Sequence, residues 1–340
     1  MMNNLDELLE AELRGFSANQ RRVVEDRFGL KTGKRLTLQE IGDALHVTRE
    51  RVRQIEAQAL KKISPRLRKE CEALLRDVVA YLRSVGGVRR DDQFIADVKT
   101  RWFRGVSTKH LDHKIRFVFW AAEEPRFHKG DDDFENFWYV DELSKRKLAE
   151  FTKKATALFR KLGTDGVLGN PKAHMALCKD VAMCHLYSIP KHFGSNVFGD
   201  VGLREWPEIA PKTVRDKAYL VLRKQGKPFH FSDIATLIHT CGLQEKPAHV
   251  QTVHNELIKD GRFVLVGRGM YGLREHGFTP GTVRDVIATL LKQHGPMRAD
   301  AVVQLVGKQR FLKANTVLLN LQNKKHFSRL DDGRYAVREA

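Results

Sequence analysis

The stretch that most constrains this chain is Leu36 to Gln54, which reads LTLQEIGDALHVTRERVRQ. Thr37 followed three residues later by Glu40 is a capping box, in which each side chain satisfies a free backbone N–H at the start of a helix. Leu38, Ile41 and Leu45 then recur at helical spacing, which predicts a short helix to about Leu45. His46 and Val47 make a turn. Thr48 is placed to cap a second helix through Arg49, Val52, Ile55, Ala59 and Ile63. Two helices joined by a tight turn are a helix-turn-helix unit.

The second helix has two faces. At about 100° per residue, Val52, Ile55, Ala59 and Ile63 form an apolar stripe, whereas Arg49, Glu50, Arg53 and Gln54 cluster elsewhere. In a helix-turn-helix the start of this helix enters the major groove. Arginine there grips guanine, glutamine pairs with adenine and glutamate accepts from cytosine N4. A solvated helix laced with Arg–Glu salt bridges is the bland alternative, and the two-helix grammar ahead of it weighs against that alternative.

These residues carry a resemblance. Arg27-Phe28-Gly29-Leu30, Leu36 to Gly42 and Val47 to Ala57 closely resemble region four of the housekeeping bacterial sigma factors, over about residues 16–69. The resemblance implies binding to the promoter −35 element and to the flap of the RNA polymerase β subunit. It implies base reading by Arg49, Glu50 and Gln54, with Thr48, Arg51, Arg53, Lys61 and Lys62 as DNA-backbone or polymerase contacts. His46 departs from the pattern, standing where the family usually has a small turn residue.

A chain of 340 residues usually forms two or more domains, and a formal net charge of +18 points to a polyanionic partner, double-stranded DNA above all. Between Arg49 and Lys69 eight basic residues face only Glu50 and Glu56, so binding should weaken steeply with salt. There is no apolar run of about 18 residues, and the amino terminus carries Asp6, Glu7 and Glu10, so neither a membrane span nor a signal peptide is expected. The reading is a cytoplasmic, nucleoid-associated protein. Cys71, Cys178, Cys184 and Cys241 lack framework spacing and read as reduced thiols. His174, Cys178, Cys184 and His185 lack the close Cys-x-x-Cys pairing of a zinc site, so no metal or other cofactor is expected.

In chain order, Leu5, Leu8, Leu9 and Leu13 mark an amphipathic helix that docks on its neighbours or on a partner. Ser17 to Phe28 forms another, whose Val23, Val24 and Phe28 pack behind the helix-turn-helix, in a module ending near Pro65. Further on the chain repeats. Thr213-Val214-Arg215-Asp216 recurs as Thr282-Val283-Arg284-Asp285, with glycine turns at Gly226 and Gly295 and hairpins flanking Gly267-Arg268-Gly269 and Asp331-Asp332-Gly333. Three helices and a terminal hairpin describe a winged helix. The first copy, with Pro228-Phe229-His230-Phe231-Ser232-Asp233-Ile234-Ala235, also resembles the HARE-HTH family, whose winged helices occur beside DNA-acting enzymes and in chromatin proteins.

Two earlier stretches look like diverged copies, residues 72–141 and residues 145–206; the second opens on a basic amphipathic helix, and the Gly- and Pro-rich break from Asn196 to Pro211 is the candidate linker. The fold expected is therefore mainly α: a helix-turn-helix module at 1–69, a winged helix at 70–141, a helical or diverged winged helix with linker at 142–210, a HARE-HTH-like winged helix at 211–276 and its repeat at 277–340. Wing residues Arg268, Arg329 and Arg334 are candidate DNA contacts, with protein binding by the wings equally open. The acidic tip Asp131-Asp132-Asp133 argues against such contact by the first wing. Trp102, Phe117, Phe119, Trp120, Trp138 and Tyr139 read as core.

No P-loop, nucleophile motif or metal-spaced cluster appears, so no catalytic residue is named and an enzyme is not expected. The function expected is a sequence-specific DNA-binding transcription regulator that recognises a −35-like element, docks on RNA polymerase, or both. About fifteen residues precede the module, so a promoter-melting region is not expected ahead of it. The alternative is a recognition subunit of a DNA-modification or defence complex.

Overall fold

In the computed structural model, residues 5–175, 177 and 181–338 are described, and they divide into two compact units, the first holding residues 1–194 and 201–203 and the second the remainder. Fifteen α-helices and ten short strands are found among the described residues.

The first unit begins with α1 (Leu5–Leu13), α2 (Ala18–Phe28), α3 (Leu38–Leu45) and α4 (Arg49–Glu70). Local chemistry places their ends. Ser17 and Gln20 close a capping box at α2, Thr37 and Glu40 close the one expected at α3, and Thr48 caps α4 by accepting from the Arg51 N–H. Helix α1 docks on the chain itself, with Leu5, Leu9 and Leu13 buried. Helix α4 does not stop at Pro65 but runs on to Glu70. Proline inside a helix costs about 3 kcal/mol. Burial of Leu67 at the end of α4, and of Cys71 just past it, offsets this, each apolar side chain contributing about 1.5–3 kcal/mol.

There follow α5 (Glu72–Ser84), β1 (Val88–Arg90), α6 (Asp91–Trp102), α7 (Leu111–Ala122), β2 (Arg126–His128) and β3 (Phe137–Tyr139). The strands form an antiparallel sheet in the order β1-β3-β2, with both Val88 and Arg126 opposite Tyr139. Helix, strand, two helices and a hairpin are a winged helix with its first strand in place. One apolar core runs without interruption from Leu5 through Phe28, Leu67 and Phe117 to Trp138. Phe28 and Phe117 lie 4.9 Å apart at their ring centroids, and His113 Nδ1 is 2.9 Å from the Phe28 carbonyl oxygen. Of the aromatic residues expected in the core, Phe117, Phe119, Trp138 and Tyr139 are buried, but Trp120 is 40% exposed. It sits where α7 ends, its ring centre 6.4 Å from that of Phe28 and 5.2 Å from that of Phe127, and it lines an open groove there.

The rest of the first unit is α8 (Glu142–Val167), broken at Gly163 (φ 66°), then α9 (Pro171–Met175), a 3₁₀ turn at Val181–Ser188, β4 (Phe193–Ser195) and β5 (Val201–Leu203). A long helix to Leu162, two short helical pieces and a 3₁₀ turn precede the β4–β5 pair. The stretch expected to be a linker is built rather than open. Asn196, 8% exposed, donates to the Glu208 carbonyl at 3.0 Å and accepts from the Phe198 and Asp200 N–H groups.

The second unit holds the tandem repeat. Its first copy is α10 (Val214–Gln225), β6 (Phe229–His230), α11 (Phe231–Thr240), α12 (Val250–Lys259), β7 (Phe263–Gly267) and β8 (Met270–Leu273), with strand order β6-β8-β7. The second is α13 (Val283–His294), α14 (Ala299–Gln309), α15 (Ala314–Leu321), β9 (Phe327–Arg329) and β10 (Tyr335–Val337), and a single bridge from Met297 to Tyr335 stands where the first strand would be. Thr213 with Asp216 and Thr282 with Asp285 form matching capping boxes. Buried Arg310 donates to the carbonyls of Thr279 and Gly281, and the Phe311 N–H donates to Val266 at 2.7 Å, so the second copy covers the edge of β7.

Candidate nucleic-acid interface

The corner before α4 is set by two unusual positions. His46 adopts a left-handed conformation (φ 55°) with a side chain that gains nothing from it, and Gly42 passes so close to Val47 that a side chain has no room. Val23, Ile41, Val52 and Ile55 pack beneath the corner as a small core of their own. The apolar stripe expected on α4 is therefore buried, and the opposite face is free.

On that face Thr48, Arg49, Glu50, Arg51, Arg53 and Gln54 are all exposed. The structure brings the expected base readers Arg49, Glu50 and Gln54 together on the first two turns, and it bonds Glu50 and Gln54 each to a neighbouring arginine. Arg53 grips Glu50 through two hydrogen bonds of 2.8 and 2.7 Å, and Arg51 donates to Gln54 at 3.2 Å. The Arg53 guanidinium holds the Glu50 carboxyl below its ordinary range, and Glu50 in turn raises Arg53. An exposed pair contributes little to stability and yields readily to a stronger partner.

The two lysines further along α4 part company. Lys61 lines an open groove with Ala57, Arg68, Trp120, Arg126 and Phe127, between α4 and the first wing. Lys62 does not stand free as expected. Its ammonium donates to the Gly15 carbonyl and lies 5.3 Å from the Phe16 ring centre, because the loop before α2 turns back on α4 there.

Among the wing residues, Arg268 and Arg329 are exposed with the bases of their hairpins formed, whereas Arg334 is paired with Asp332 at 2.6 Å. The acidic tip of the first wing closes on itself: Asp131 accepts from the Asp133 and Phe134 N–H groups and pairs with His128. The third helices of the three winged helices differ. In α7 seven of twelve residues are buried, in packing against α2 and α4, while α12 and α15 each bury two. Residues 72–140 carry twelve basic and twelve acidic residues, residues 211–276 eleven against six and residues 277–338 eleven against four.

Comparison with known proteins agrees with this geometry. The model of the family described as Sigma-70, region 4 matches residues 13–64, and that of HARE-HTH, described as a helix-turn-helix domain of ASXL and restriction endonucleases among others, matches residues 212–276. The chain joins a sigma-70 region 4 module to a HARE-HTH domain. Over 61 residues the module is 51% identical to the RNA polymerase sigma factor SigA of Nostoc, a match covering 18% of this chain and 16% of that one. Over 68 residues it is 40% identical to the RNA polymerase sigma factor sigB of Arabidopsis thaliana (20% and 11%), and over 59 residues 48% identical to SigA of a Bacillus species (17% and 16%). The chain thus spans less than a fifth of the length of these relatives. Both domains are DNA-binding helix-turn-helix types, and no described helix is long and apolar enough to cross a membrane.

No group of three or more histidine, cysteine or carboxylate side chains stands together among the described residues. His174 makes ring contacts with Phe159 and Tyr187, His185 Nε2 lies 3.1 Å from the Val88 carbonyl oxygen, and Cys178 lies outside the described residues. Cys71 is buried, and burial pushes its thiol up to about 11. Sequence reasoning missed the groove at Trp120. Its signal was α7 itself, where Phe117, Phe119 and Trp120 cannot all face one way on a helix.

Proposed function

We propose that this protein is a sequence-specific DNA-binding transcription regulator that recognises a −35-like element through α4 and docks on RNA polymerase. The observation that carries the reading is the exposed set Arg49, Glu50 and Gln54 on the first turns of α4, at the end that a helix-turn-helix presents to the major groove. Thr48, Arg51 and Arg53 flank it as contacts to the DNA backbone or to the polymerase β flap, with Lys61 further along the same helix. The excess of basic residues in the two winged helices of the second unit supports a longer footprint, with Arg268 and Arg329 at the wing tips. Selection from random duplex DNA tests the reading: wild type enriches a defined site, and Arg49→Ala or Gln54→Ala relaxes it at one or two positions. An unchanged site in Arg49→Ala overturns the assignment of the base readers. Affinity capture that recovers the polymerase β subunit supports the docking step. The naming of restriction endonucleases in the HARE-HTH description favours a second reading, an adaptor for a DNA-modifying complex, and recovery of a nuclease or methyltransferase instead would establish it.

A further inference from the structure

Helix α8 carries a charge pattern that neither domain accounts for. Arg146 and Lys147, Lys153 and Lys154, and Arg160 and Lys161 recur at intervals of seven residues, and all six are exposed. Seven residues are nearly two helical turns, so the six fall within an arc of about 140°. Leu148, Thr152, Ala155 and Phe159 lie on the opposite side and are buried. Glu150 is the one acidic residue within the stripe, and Arg146, Lys147, Lys153, Lys154 and Lys161 pair with no carboxylate among the described residues. Elsewhere in the first unit arginines and lysines are commonly paired, as Arg89 is with Asp97 and Arg116 with Asp91. A row of like charges at roughly 10 Å spacing, about one Debye length at moderate salt, repels itself unless a polyanion lies along it.

We propose that α8 is a second, sequence-independent DNA-binding surface that lies along the phosphate backbone of duplex flanking the site read by α4. The stripe is a straight rod of roughly 22 Å, ending before the break at Gly163, and matches about six base pairs of duplex. Its apolar side is already committed: Leu148 packs with Val88, Phe137 and Tyr139 on the strands of the first winged helix, leaving no greasy face to enter a bilayer. Trp138, on the same central strand, belongs to the core shared with α4. The stripe and the reading helix are therefore parts of one folded unit. The first winged helix, with its balanced charge and buried third helix, acts as the spacer between them.

This rests on the chain binding DNA, and the test separates it from base reading by α4. Salt dependence of binding is measured on a selected site and on a random duplex for three proteins: wild type, the variant K147Q/K153Q/K154Q/K161Q, and Arg49→Ala. Glutamine keeps helix propensity, and circular dichroism verifies the fold. The quadruple variant is expected to lower the log–log salt slope by about 3 to 4 on both duplexes and to weaken both at least tenfold at low salt, with base preference unchanged. An unchanged slope overturns the proposal. So does loss confined to vesicles containing phosphatidylserine, or absence of duplex binding by wild type. If Arg49→Ala keeps the wild-type preference while the quadruple variant loses slope, the α8 surface stands and base reading by α4 falls.

Discussion

Gly42 and Val47 meet across the helix-turn-helix corner: the Val47 N–H donates to the Gly42 carbonyl at 2.9 Å, and a Cβ on Gly42 would stand 2.7 Å from the Val47 carbonyl oxygen. The contact is with backbone, which cannot swing aside. Gly42→Ala is therefore expected to destabilise the first unit by about 1–3 kcal/mol, measured by denaturant unfolding. A neutral result would mean that the corner opens without cost.

His46 gives the opposite sign. Its left-handed backbone is unfavourable by about 1–2 kcal/mol for a residue with a Cβ, and its side chain is exposed. After allowing for the greater freedom of glycine in the unfolded chain, His46→Gly should stabilise by about 0.5–1 kcal/mol. Thermal unfolding measures this, and DNA preference should not change.

Glu50 restrains Arg53 in the free protein, and on binding Arg53 is the group that would turn to phosphate. Glu50→Gln is expected to tighten binding to random duplex and to steepen the log–log salt slope by about one unit, as one more cation reaches the backbone. Specificity should fall at the position that the carboxylate reads. Fluorescence anisotropy at several salt concentrations gives both quantities, and weaker general binding would show that Arg53 takes no part.

Acid should loosen two helix starts together. Hydrogen bonds from the Thr37 backbone hold the Glu40 carboxyl below its ordinary 4.5, and the Thr282 hydroxyl and backbone do the same for Asp285 relative to 3.8. Because the folded values are depressed, their stabilisation is fully present above the ordinary values and is lost as pH falls through the depressed ones. The unfolding midpoint should thus hold near neutrality and drop below about pH 4.5. Glu40→Gln should start lower at pH 7 and lose less on acidification; parallel curves for the two proteins would contradict the capping role.

The shared core predicts joint unfolding. Phe117 is fully buried against Phe28, so Phe117→Ala should cost about 3–5 kcal/mol. Calorimetry should show the helix-turn-helix and the first winged helix leaving in one transition, whereas two separated transitions would contradict a common core.

Legibility followed the range of the interactions. The capping boxes at Thr37, Thr213 and Thr282 bind partners three residues away, and a linear pattern displays them in full. The apolar stripe and the exposed polar face of α4 are legible for the same reason. Strands β1 and β6 were not, since two or three residues carry no period and Val88 finds Tyr139 only after two helices have folded between them. The run of α4 past Pro65 is not legible either, since the local penalty of the proline is plain and the remote burial of Leu67 is not. Helix α7 held its clue in plain letters, since apolar residues all round a helix mean burial, but the neighbours that bury it come from α2 and α4.

The continuity of that core from Leu5 to Trp138 limits how the chain can be engineered. A chimera that exchanges only residues 1–69 for another reading head would strip α7 of its companions and leave Phe117 and Leu111 wet. Transplanting residues 5–140 as one cassette keeps that core inside the graft and cuts only the smaller seam of Val88, Phe137 and Tyr139 with Leu148, Leu186 and Ile189.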